Sequence, residues 1–389
     1  MVGSEDQYQA TFYDSITQVD EKEWNNVLET DYPFLRYAFL YALESTGAVT
    51  MDSGWQPQHL TIYRGKHLVA IMPLYLKFHS YGEYVFDWSW ADAYERHGQR
   101  YYPKLLSAIP YTPATGPRLS IAANENEEAI RDFAIESLLS HAKKTKASSI
   151  HILFPEKSFN SSLITAGLSS RRGAQFHWFN QDFQSFEEFL ATFTSRKRKN
   201  LRKERKNVAA QGLSFTILEG DSIDATMWKT FYSFYQGTYL KRSGHGGYLN
   251  QDFFESVAKL MPESLVMIVA SEKTPPNKTN TPIAAALFFK GQNTLYGRYW
   301  GCIKEVEFLH FETCYYQGID YCIKNGISKF DPGAQGEHKI QRGFTPIETW
   351  SNHWIEDQGF RAAIDDFLNR ETDSIGDYIK DCTDLLPFK

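Results

Sequence analysis

The segments "YQATFYDSITQVDEKEWNNVL" (residues 8–28) and "LSFTILEGDSIDATMWKTFYSFY" (residues 213–235) decide the fold, because they repeat one order of features far apart in the chain. Each begins with a strand-like run, continues through a polar turn and ends in a helical pattern that carries a tryptophan, Trp24 or Trp228. A repeated order of elements is typical of a duplicated fold. We therefore interpret the rest of the sequence as two copies of one unit.

Both copies continue with the same elements. A second helical stretch, "FLRYAFLYALE" or "DFFESVAKLM", precedes a run of strands in which Gly65 and Gly291 mark hairpin turns. A long amphipathic helix and a short apolar strand, "SIHILFP" or "ISKFDP", complete each copy. The sequence predicts an α/β fold with a mixed α+β sheet, in which strand, two helices, three strands, helix and strand occur twice.

A basic segment separates the two copies. We place the boundary near residue 182, which gives domains 1–182 and 183–389, with a helix at 195–211 before the second copy. Lysines and arginines crowd this helix, and a run of like charge is often only a solvated surface. The alternative is a phosphate-binding site for tRNA or a nucleotide-linked acceptor. For that site the sequence offers Arg198, Arg202 and Arg205.

Length and charge limit the class of protein. A chain of 389 residues exceeds what one hydrophobic core ordinarily serves, which favours two domains. The net charge of −6 gives no general attraction to nucleic acid, so a polyanion site has to be local. The sequence predicts neither a leader segment nor a membrane span, which indicates a cytoplasmic protein. The cysteines lack zinc-ligand spacing, and we predict no metal and no tightly bound cofactor; oligomeric state stays open.

The stretch "FDPGAQGEHKIQRGFTP" (residues 330–346) concentrates chemically active side chains after a short apolar strand. Loops carried on a rigid strand often hold functional sites. We predict catalytic roles for Asp331, Glu337 and His338, because Glu337 or His338 could accept the proton that an attacking amine loses. The same stretch contributes substrate-binding candidates, which are Gln335, Lys339 and Arg342. The alternative interpretation is a capped turn held by salt bridges.

Two further segments contribute candidates for substrate binding. In the first copy, Ser89 is expected to cap a helix, and the aromatic and polar side chains around it form an acceptor wall or only a local structure. The candidates there are Trp88, Trp90, Asp92, His97, Tyr111 and Arg118. In the second copy, alternation along a strand places Arg298 and Trp300 on one face, with His310 at the opening of the next helix. A buried arginine paired with an acid is the structural alternative.

The segments "FDPGAQGEHKIQRGFTPIETWSNHW" and "DWSWADAYERHGQRYYPKLLSAIPYTPATGPRL" resemble the FemAB-like N-acyltransferase family, relatives of the peptidoglycan-bridge aminoacyltransferases. The resemblance covers nearly the full chain. It implies two GNAT-like domains facing a central cleft, and transfer of an acyl group from acyl-CoA or a similar donor to an amine on a small molecule or peptide. The repeated element order is also that of the GNAT fold, whose central strands splay apart.

The sequence departs from the usual GNAT pattern at the donor site. The Gln/Arg-x-x-Gly-x-Gly/Ala loop is missing, and acidic residues stand at both helix starts, where they would repel phosphate. No tyrosine lies between Gln335 and Arg342 to protonate a departing thiolate. Two alternatives therefore remain open: an aminoacyl-tRNA-dependent aminoacyltransferase, and a non-catalytic protein that binds a cell-wall precursor or polyanion.

Overall fold

The computed structural model describes residues 7–28, 30–273, 280–334 and 336–389. The chain forms two compact units. Unit 1 comprises Met1–Ala174 and Glu348–Tyr378, and unit 2 comprises Gln175–Ile347 and Ile379–Lys389. The predicted domain boundary near residue 182 marks the end of the first repeat in the sequence. It describes the repeat and stays a prediction.

The strands of the described residues are, in chain order, β1 (Tyr8–Tyr13), β2 (Trp55–Pro57), β3 (His59–Arg64), β4 (His67–Met72), β5 (Tyr75–Lys77), β6 (Lys104–Ser107), β7 (Ser120–Ile121), β8 (Ser149–Leu153), β9 (Ser169–Phe179), β10 (Leu213–Glu219), β11 (Leu265–Glu272), β12 (Thr281–Lys290), β13 (Thr294–Cys302), β14 (Lys329–Asp331) and β15 (Thr345–Ile355).

The α-helices of the described residues are α1 (Glu21–Val27), α2 (Tyr37–Ser45), α3 (Trp88–Arg96), α4 (Glu127–Thr145), α5 (Lys157–Thr165), α6 (Phe186–Ala191), α7 (Ser195–Ala210), α8 (Ala225–Ser243), α9 (Gln251–Leu260), α10 (Leu309–Phe311), α11 (Gln317–Lys324) and α12 (Gln358–Asp384). A π-helical segment, Glu312–Tyr316, joins α10 to α11, and a 3₁₀ helix covers Glu337–Arg342. Among the helices described, none is both long and apolar enough to cross a membrane.

Unit 1 contains two sheets. One has the order β1-β3-β4-β7, and in the other β2, β5, β6, β8 and the end of β15 are neighbours in that order. The predicted hairpin around Gly65 is present, with β3 as its first strand, and its second strand is broken into β4 and β5. Pro57 ends β2 and Pro73 separates β4 from β5, and proline cannot donate to a ladder of backbone hydrogen bonds. Helix α4 packs on a core that includes Leu60, Ile130 and Ile152.

Unit 2 contains one sheet with the order β10-β11-β12-β13-β14 and the end of β9. All neighbours are antiparallel except β13 and β14, which pair in parallel from Thr294–Lys329 to Tyr296–Asp331, where β14 ends. The register between β12 and β13 shifts so that Leu287 pairs with Tyr299 and Phe288 with Gly297, which makes a β-bulge at Arg298. The mixed α/β fold predicted from the sequence is confirmed.

The two copies begin in the same way for the same physical reasons. Asp20 and Asp224 are the N-cap residues of α1 and α8, and each carboxylate accepts a hydrogen bond from a backbone N–H of the first turn. The repeated tryptophans, Trp24 and Trp228, are both buried. One cap differed from expectation: Asp87, not Ser89, precedes α3, and its carboxylate is used elsewhere.

Candidate active site

A small cavity in unit 2 lies where the parallel pairing of β13 and β14 ends. Its volume is about 140 Å³, and it lies beside the bulge in β13 and the end of β14. Side chains of β12, β13 and the following helix surround it, together with Pro332. The residues that line it are Ala286, Leu287, Phe288, Gly297, Arg298, Tyr299, Trp300, His310, Cys314, Tyr315 and Pro332.

A buried ion pair joins β13 to β14. The Nη2 atom of Arg298 lies 2.7 Å from Oδ2 of Asp331, and both side chains are almost completely buried. Asp331 also accepts a hydrogen bond of 2.9 Å from the backbone N–H of Gly333, and His177 Nε2 lies 3.6 Å from its Oδ1. Burial by itself would raise the pKa of Asp331, but Arg298 and His177 hold this pKa below its usual range. Asp331 is therefore a fixed carboxylate that orients Arg298.

The Lys339 side chain contacts the backbone just after the end of β14. The side chain is 1% exposed, and its Nζ donates a hydrogen bond of 2.5 Å to the carbonyl oxygen of Gly333. Burial lowers the pKa of Lys339 to about 7, although the Asp331 carboxylate acts in the opposite direction. Lys339 is thus divided between its charged and neutral forms near neutral pH, and pKa values matched to pH 7 are common at functional sites.

An imidazole and a phenol are paired at the edge of the cavity. The hydroxyl of Tyr315 and Nε2 of His338 are 2.9 Å apart. Partial burial, with the nearby charges of Lys339 and Arg342, lowers the pKa of His338 to about 4. Burial raises the pKa of Tyr315 well above its ordinary value. At neutral pH the imidazole is uncharged and the phenol keeps its proton, so that the phenol can donate to the imidazole.

His310 also reaches the cavity, at the start of the long helix as the sequence predicted. Its ring packs against Trp300, with 5.3 Å between ring centroids, and against Tyr315. Burial and the neighbouring His338 lower the pKa of His310 to about 3. His310 is consequently a neutral hydrogen-bonding group in an aromatic wall.

The rest of the 330–346 stretch supports this wall. Arg342 lies over the ring of Phe311 at 3.4 Å from its centroid, bonds to Glu204 at 2.9 Å and donates to the carbonyl oxygen of His338 at 2.7 Å. Glu337 is exposed at the start of the 3₁₀ helix. Gln335, which we predicted to bind substrate, lies outside the described residues.

Tyr315, which sequence reasoning missed, enters the site from an unexpected element. We looked for a tyrosine only between Gln335 and Arg342, whereas Tyr315 belongs to the π-helical segment Glu312–Tyr316. Such single-turn π segments are often found at functional sites. A weak signal was available in the sequence, because "FETCYY" places two aromatic hydroxyls one turn after His310.

The first-copy candidates lie in unit 1 and fall into two groups. Asp92 is exposed on α3, His97 is exposed at its C-cap, and Trp88 is 37% exposed with its ring 4.8 Å from that of Tyr81. Trp90 is buried, and it packs against His353 at 4.9 Å between ring centroids. All four residues belong to unit 1, and the lining of the unit 2 cavity contains none of them.

Tyr111 and Arg118 are held by the backbone of unit 1. The hydroxyl of Tyr111 donates to the carbonyl oxygen of Ala48 at 2.9 Å. Arg118 is completely buried, and its guanidinium donates to the carbonyl oxygens of Leu153 at 2.7 Å and Ala114 at 2.6 Å. These contacts give both side chains a role in the fold, since buried carbonyl oxygens need donors.

Unit 1 also contains a buried charged cluster that the sequence analysis did not single out. Lys104 is completely buried, bonds to Glu83 at 2.8 Å and also contacts Asp87. Tyr101 donates to Asp87 at 2.6 Å. The segment that carries these acids could have indicated the cluster, because Glu83 and Asp87 flank an apolar run. Within the described residues, no group of three or more His, Cys, Asp or Glu side chains could hold a metal ion.

The basic helix α7 is partly neutralised within unit 2. Arg205 bonds to Glu312 at 2.8 Å and to Asp320 at 2.7 Å, and Arg202 pairs with Glu187. Arg198 is half-buried. Leu201 and Val208 are buried, as expected for the face that packs on the protein. Two of the three predicted phosphate contacts therefore already have acidic partners.

The profile of a family named FemAB_like, described as peptidoglycan biosynthesis/recognition, matches residues 15–389 of this sequence. The chain belongs to the FemAB_like family. The resemblance stated from the two quoted motifs is thus confirmed over almost the whole chain. Among curated proteins, none matches the sequence significantly.

Solved structures agree with this FemAB_like assignment at the level of the fold. FemX is 13% identical, with a TM-score of 0.55 over 89% of this chain and 98% of FemX. L-PGS from Bacillus licheniformis is 11% identical, with a TM-score of 0.51 over 85% of this chain and 94% of that one. A tandem GNAT protein from the clavulanic acid biosynthesis pathway gives a TM-score of 0.47 at 7% identity, covering 90% and 98%. The similarity to FemX and L-PGS therefore shows a shared fold over most of this chain.

Proposed function

We propose that this FemAB_like protein is an N-acyltransferase that acts on an amine of a peptidoglycan precursor, with its chemistry in the unit 2 cavity. The observation that carries the proposal is Tyr315, which lines the cavity beside β13 and the end of β14 and bonds to His338 at 2.9 Å. The family description supports the pathway. The small volume, about 140 Å³, suits an acyl group of a few heavy atoms, since one water takes about 30 Å³ in the liquid.

The reaction needs one proton path and one site for developing negative charge. The amine nitrogen attacks the carbonyl carbon, a C–N bond forms, and the bond from carbon to the oxygen or sulfur of the leaving group breaks. The nitrogen loses a proton to His338 through the Tyr315 hydroxyl, and the leaving atom takes up one proton from the same pair. Arg298, held by Asp331, places a cation beside the carbonyl oxygen while negative charge develops there.

The test compares two tyrosines on the same helical stretch. Tyr315→Phe and His338→Asn should each lower kcat by about 100-fold, because each removes one member of the proton path. Tyr321→Phe is the matched control, since its hydroxyl bonds to Glu219 and Tyr321 does not line the cavity. The assay follows, by mass spectrometry, an acyl group added to a soluble peptidoglycan peptide with a free amine.

Each outcome of this assay has a defined meaning. Product formed equally well by Tyr315→Phe and wild-type protein would remove the proton path. If no acyl-CoA or aminoacyl-tRNA gives a covalent product but the peptide binds saturably, the non-catalytic recognition protein becomes the better description.

Aminoacyl-tRNA is the donor that two observations favour over acyl-CoA. The loop before α10 carries exposed acids, Glu305 and Glu307, where a GNAT enzyme binds pyrophosphate. On α7, four exposed cations follow one another at helical spacing along one face, and no ion pair is recorded for them within the described residues: Arg196, Lys199, Lys203 and Lys206. A stripe of this kind suits successive phosphates of a nucleic-acid backbone.

Charge reversal tests whether binding of aminoacyl-tRNA depends on these four cations of α7 or only on the net charge of the protein. The double variant Lys199→Glu/Lys203→Glu should weaken binding of aminoacyl-tRNA and lower the slope of log K against log salt by roughly 1 per cation lost. The matched control is Lys229→Glu/Lys259→Glu, which changes two exposed lysines of α8 and α9. Equal slopes for the two double variants would exclude α7 as the docking site for the donor.

A further inference from the structure

The C-terminal half of α8 packs on the end of β13, next to the strand residues that line the unit 2 cavity. The hydroxyl of Thr238 accepts a hydrogen bond of 3.1 Å from the backbone N–H of Cys302. A Cβ atom on Gly301 would lie 2.1 Å from the backbone carbonyl carbon of Phe234, so helix and strand are in direct contact there. Residues four apart on a helix share a face, and Arg242 therefore lies on the same face of α8 as Thr238, one turn further along.

The charge of Arg242 acts on three residues of the cavity wall. Burial lowers the pKa of His310 and raises the pKa values of Cys314 and Tyr315, and the positive charge of Arg242 acts to lower all three. All three side chains line the cavity. Charges more than about 10 Å apart are largely screened at 0.1 M salt. This shared effect agrees with the packing of α8 on β13, and both place the guanidinium of Arg242 close to the cavity.

Arg242 differs from the cations around it in its lack of an acidic partner. Lys241 pairs with Glu305, and Lys304 bonds to Glu272 at 2.5 Å. Arg242 is exposed, and none of the ion pairs among the residues that the structure describes includes it. Basic residues in the last turn of a helix stabilise its dipole, which explains a positive charge at this position but not the absence of a partner. The guanidinium is therefore available to a ligand.

The charges around Arg242 favour a ligand with a single negative group. Two exposed acids, Glu305 and Glu307, follow β13 closely in the chain, and they would repel a row of phosphates. A single carboxylate needs only one cation, and the planar guanidinium fork matches both of its oxygens. The ligand class that fits this position is a peptide or amino acid with a free carboxylate.

We propose that Arg242 binds a carboxylate of the peptide that brings its amine to the unit 2 cavity. This assignment rests on the proposed transfer reaction, for which it narrows the acceptor to an amine-bearing peptide with a free carboxylate. The guanidinium donates hydrogen bonds to the carboxylate oxygens and takes no part in the bonds that form and break. Peptide binding, and not the chemical step, should therefore depend on Arg242.

The test is calorimetric titration of the full chain with the soluble peptidoglycan peptide, its carboxylates either free or converted to amides. Arg242→Gln should weaken binding of the free-acid peptide about tenfold, the effect of one hydrogen bond to a charged group. Amidation should weaken binding to the wild type by at least as much. In Arg242→Gln the loss on amidation should be about tenfold smaller than in the wild type, because both changes remove the same contact.

Two further variants serve as controls. Lys229→Gln removes one positive charge from an exposed position of the same helix, and its affinity for both peptides should match the wild type. Arg242→Lys keeps the charge and loses the planar fork, so its affinity for the free-acid peptide should fall between those of the wild type and Arg242→Gln. In the transfer assay, Arg242→Gln should raise KM about tenfold and keep kcat within about twofold.

The proposal is overturned if neither form of the peptide binds to the wild type, or if amidation weakens binding equally in the wild type and Arg242→Gln. It is also overturned if Arg242→Gln weakens binding of aminoacyl-tRNA and not of the peptide. If the free-acid peptide binds through Arg242 but no donor gives a product, the transfer reaction is wrong and the carboxylate contact stands. Product formed by the wild type and Arg242→Gln with equal KM would keep the reaction and remove the contact.

Discussion

The two copies of the fold differ at the end of the strand that follows the long amphipathic helix. In unit 1, Arg118 meets the end of β8 and donates to the carbonyl oxygen of Leu153 at 2.7 Å and to other backbone oxygens. In unit 2, Arg298 meets the end of β14 and pairs with the carboxylate of Asp331 at 2.7 Å. In both copies, an arginine side chain bonds to the last residue of this strand.

The hydrogen-bond partners of each arginine determine the role of its side chain. Arg118 is completely buried. It donates to backbone carbonyl oxygens of β8 and of the segment between β6 and β7, and so it stabilises that connecting segment. Arg298 lines a cavity and is oriented by a carboxylate that comes from another strand. Polar chemistry beside a cavity is thus placed around the arginine of unit 2, whereas the arginine of unit 1 is bonded to the backbone.

The largest expected effect comes from removing Asp331, because this carboxylate distinguishes the surroundings of Arg298 from those of Arg118. Asp331→Asn leaves Arg298 buried without its counter-ion, and breaking a buried pair costs about 3–5 kcal/mol of unfolding free energy. We also expect transfer to fall at least about 100-fold, because Arg298 loses its orientation. Chemical denaturation and the mass-spectrometric assay measure both.

The comparison has its control in unit 1. Arg118→Met should destabilise the protein by about 1–3 kcal/mol for each carbonyl oxygen left without a donor. Its kcat per folded molecule should stay close to wild type. If instead Asp331→Asn kept full activity, or Arg118→Met lost it, the assignment of chemistry to unit 2 would be wrong.

A smaller effect tests whether the two units bury lysine in the same way. Burial lowers the pKa of Lys77 in unit 1 and of Lys339 in unit 2, each to about 7. Above that pH the native chain has lost a proton that the unfolded chain holds up to about pH 10. The unfolding free energy should therefore rise with pH, by up to about 1.4 kcal/mol per unit for each lysine.

Lys77→Met and Lys339→Met remove this dependence one unit at a time. The unfolding free energy of each variant should exceed that of the wild type by the largest amount near about pH 7. This difference should shrink as the pH rises to about 9. Denaturation curves at both pH values give the difference. A difference that does not change with pH would mean that the lysine titrates as it does in the unfolded chain.

The smallest effect concerns a feature that the copies share. Asp20→Ala and Asp224→Ala each remove the side-chain cap of the helix that carries the repeated tryptophan. Each should cost about 1 kcal/mol, and the costs should be similar because the cap geometry is the same. Thermal melting of the two variants provides the measurement, and a several-fold difference between them would show that the copies are not equivalent here.

The site was predictable to the extent that it depends on neighbouring residues. Asp331, His338 and Arg342 stood out because one short stretch after a strand carries them. The Asp331–Arg298 pair, the Tyr315–His338 pair and the burial of Lys339 join residues distant in the chain. No local pattern predicts such contacts, because they depend on which strands become neighbours.

The sequence by itself determined the repeated order of elements and the family, since periodicity and motifs are local properties of the chain. Tertiary structure decided which arginine meets a carboxylate and which meets only carbonyl oxygens. It also decided that acidic partners occupy Arg202 and Arg205 of the basic helix. The physical reason is that burial and pairing change the charge and pKa of a side chain, and both depend on residues that only folding brings together.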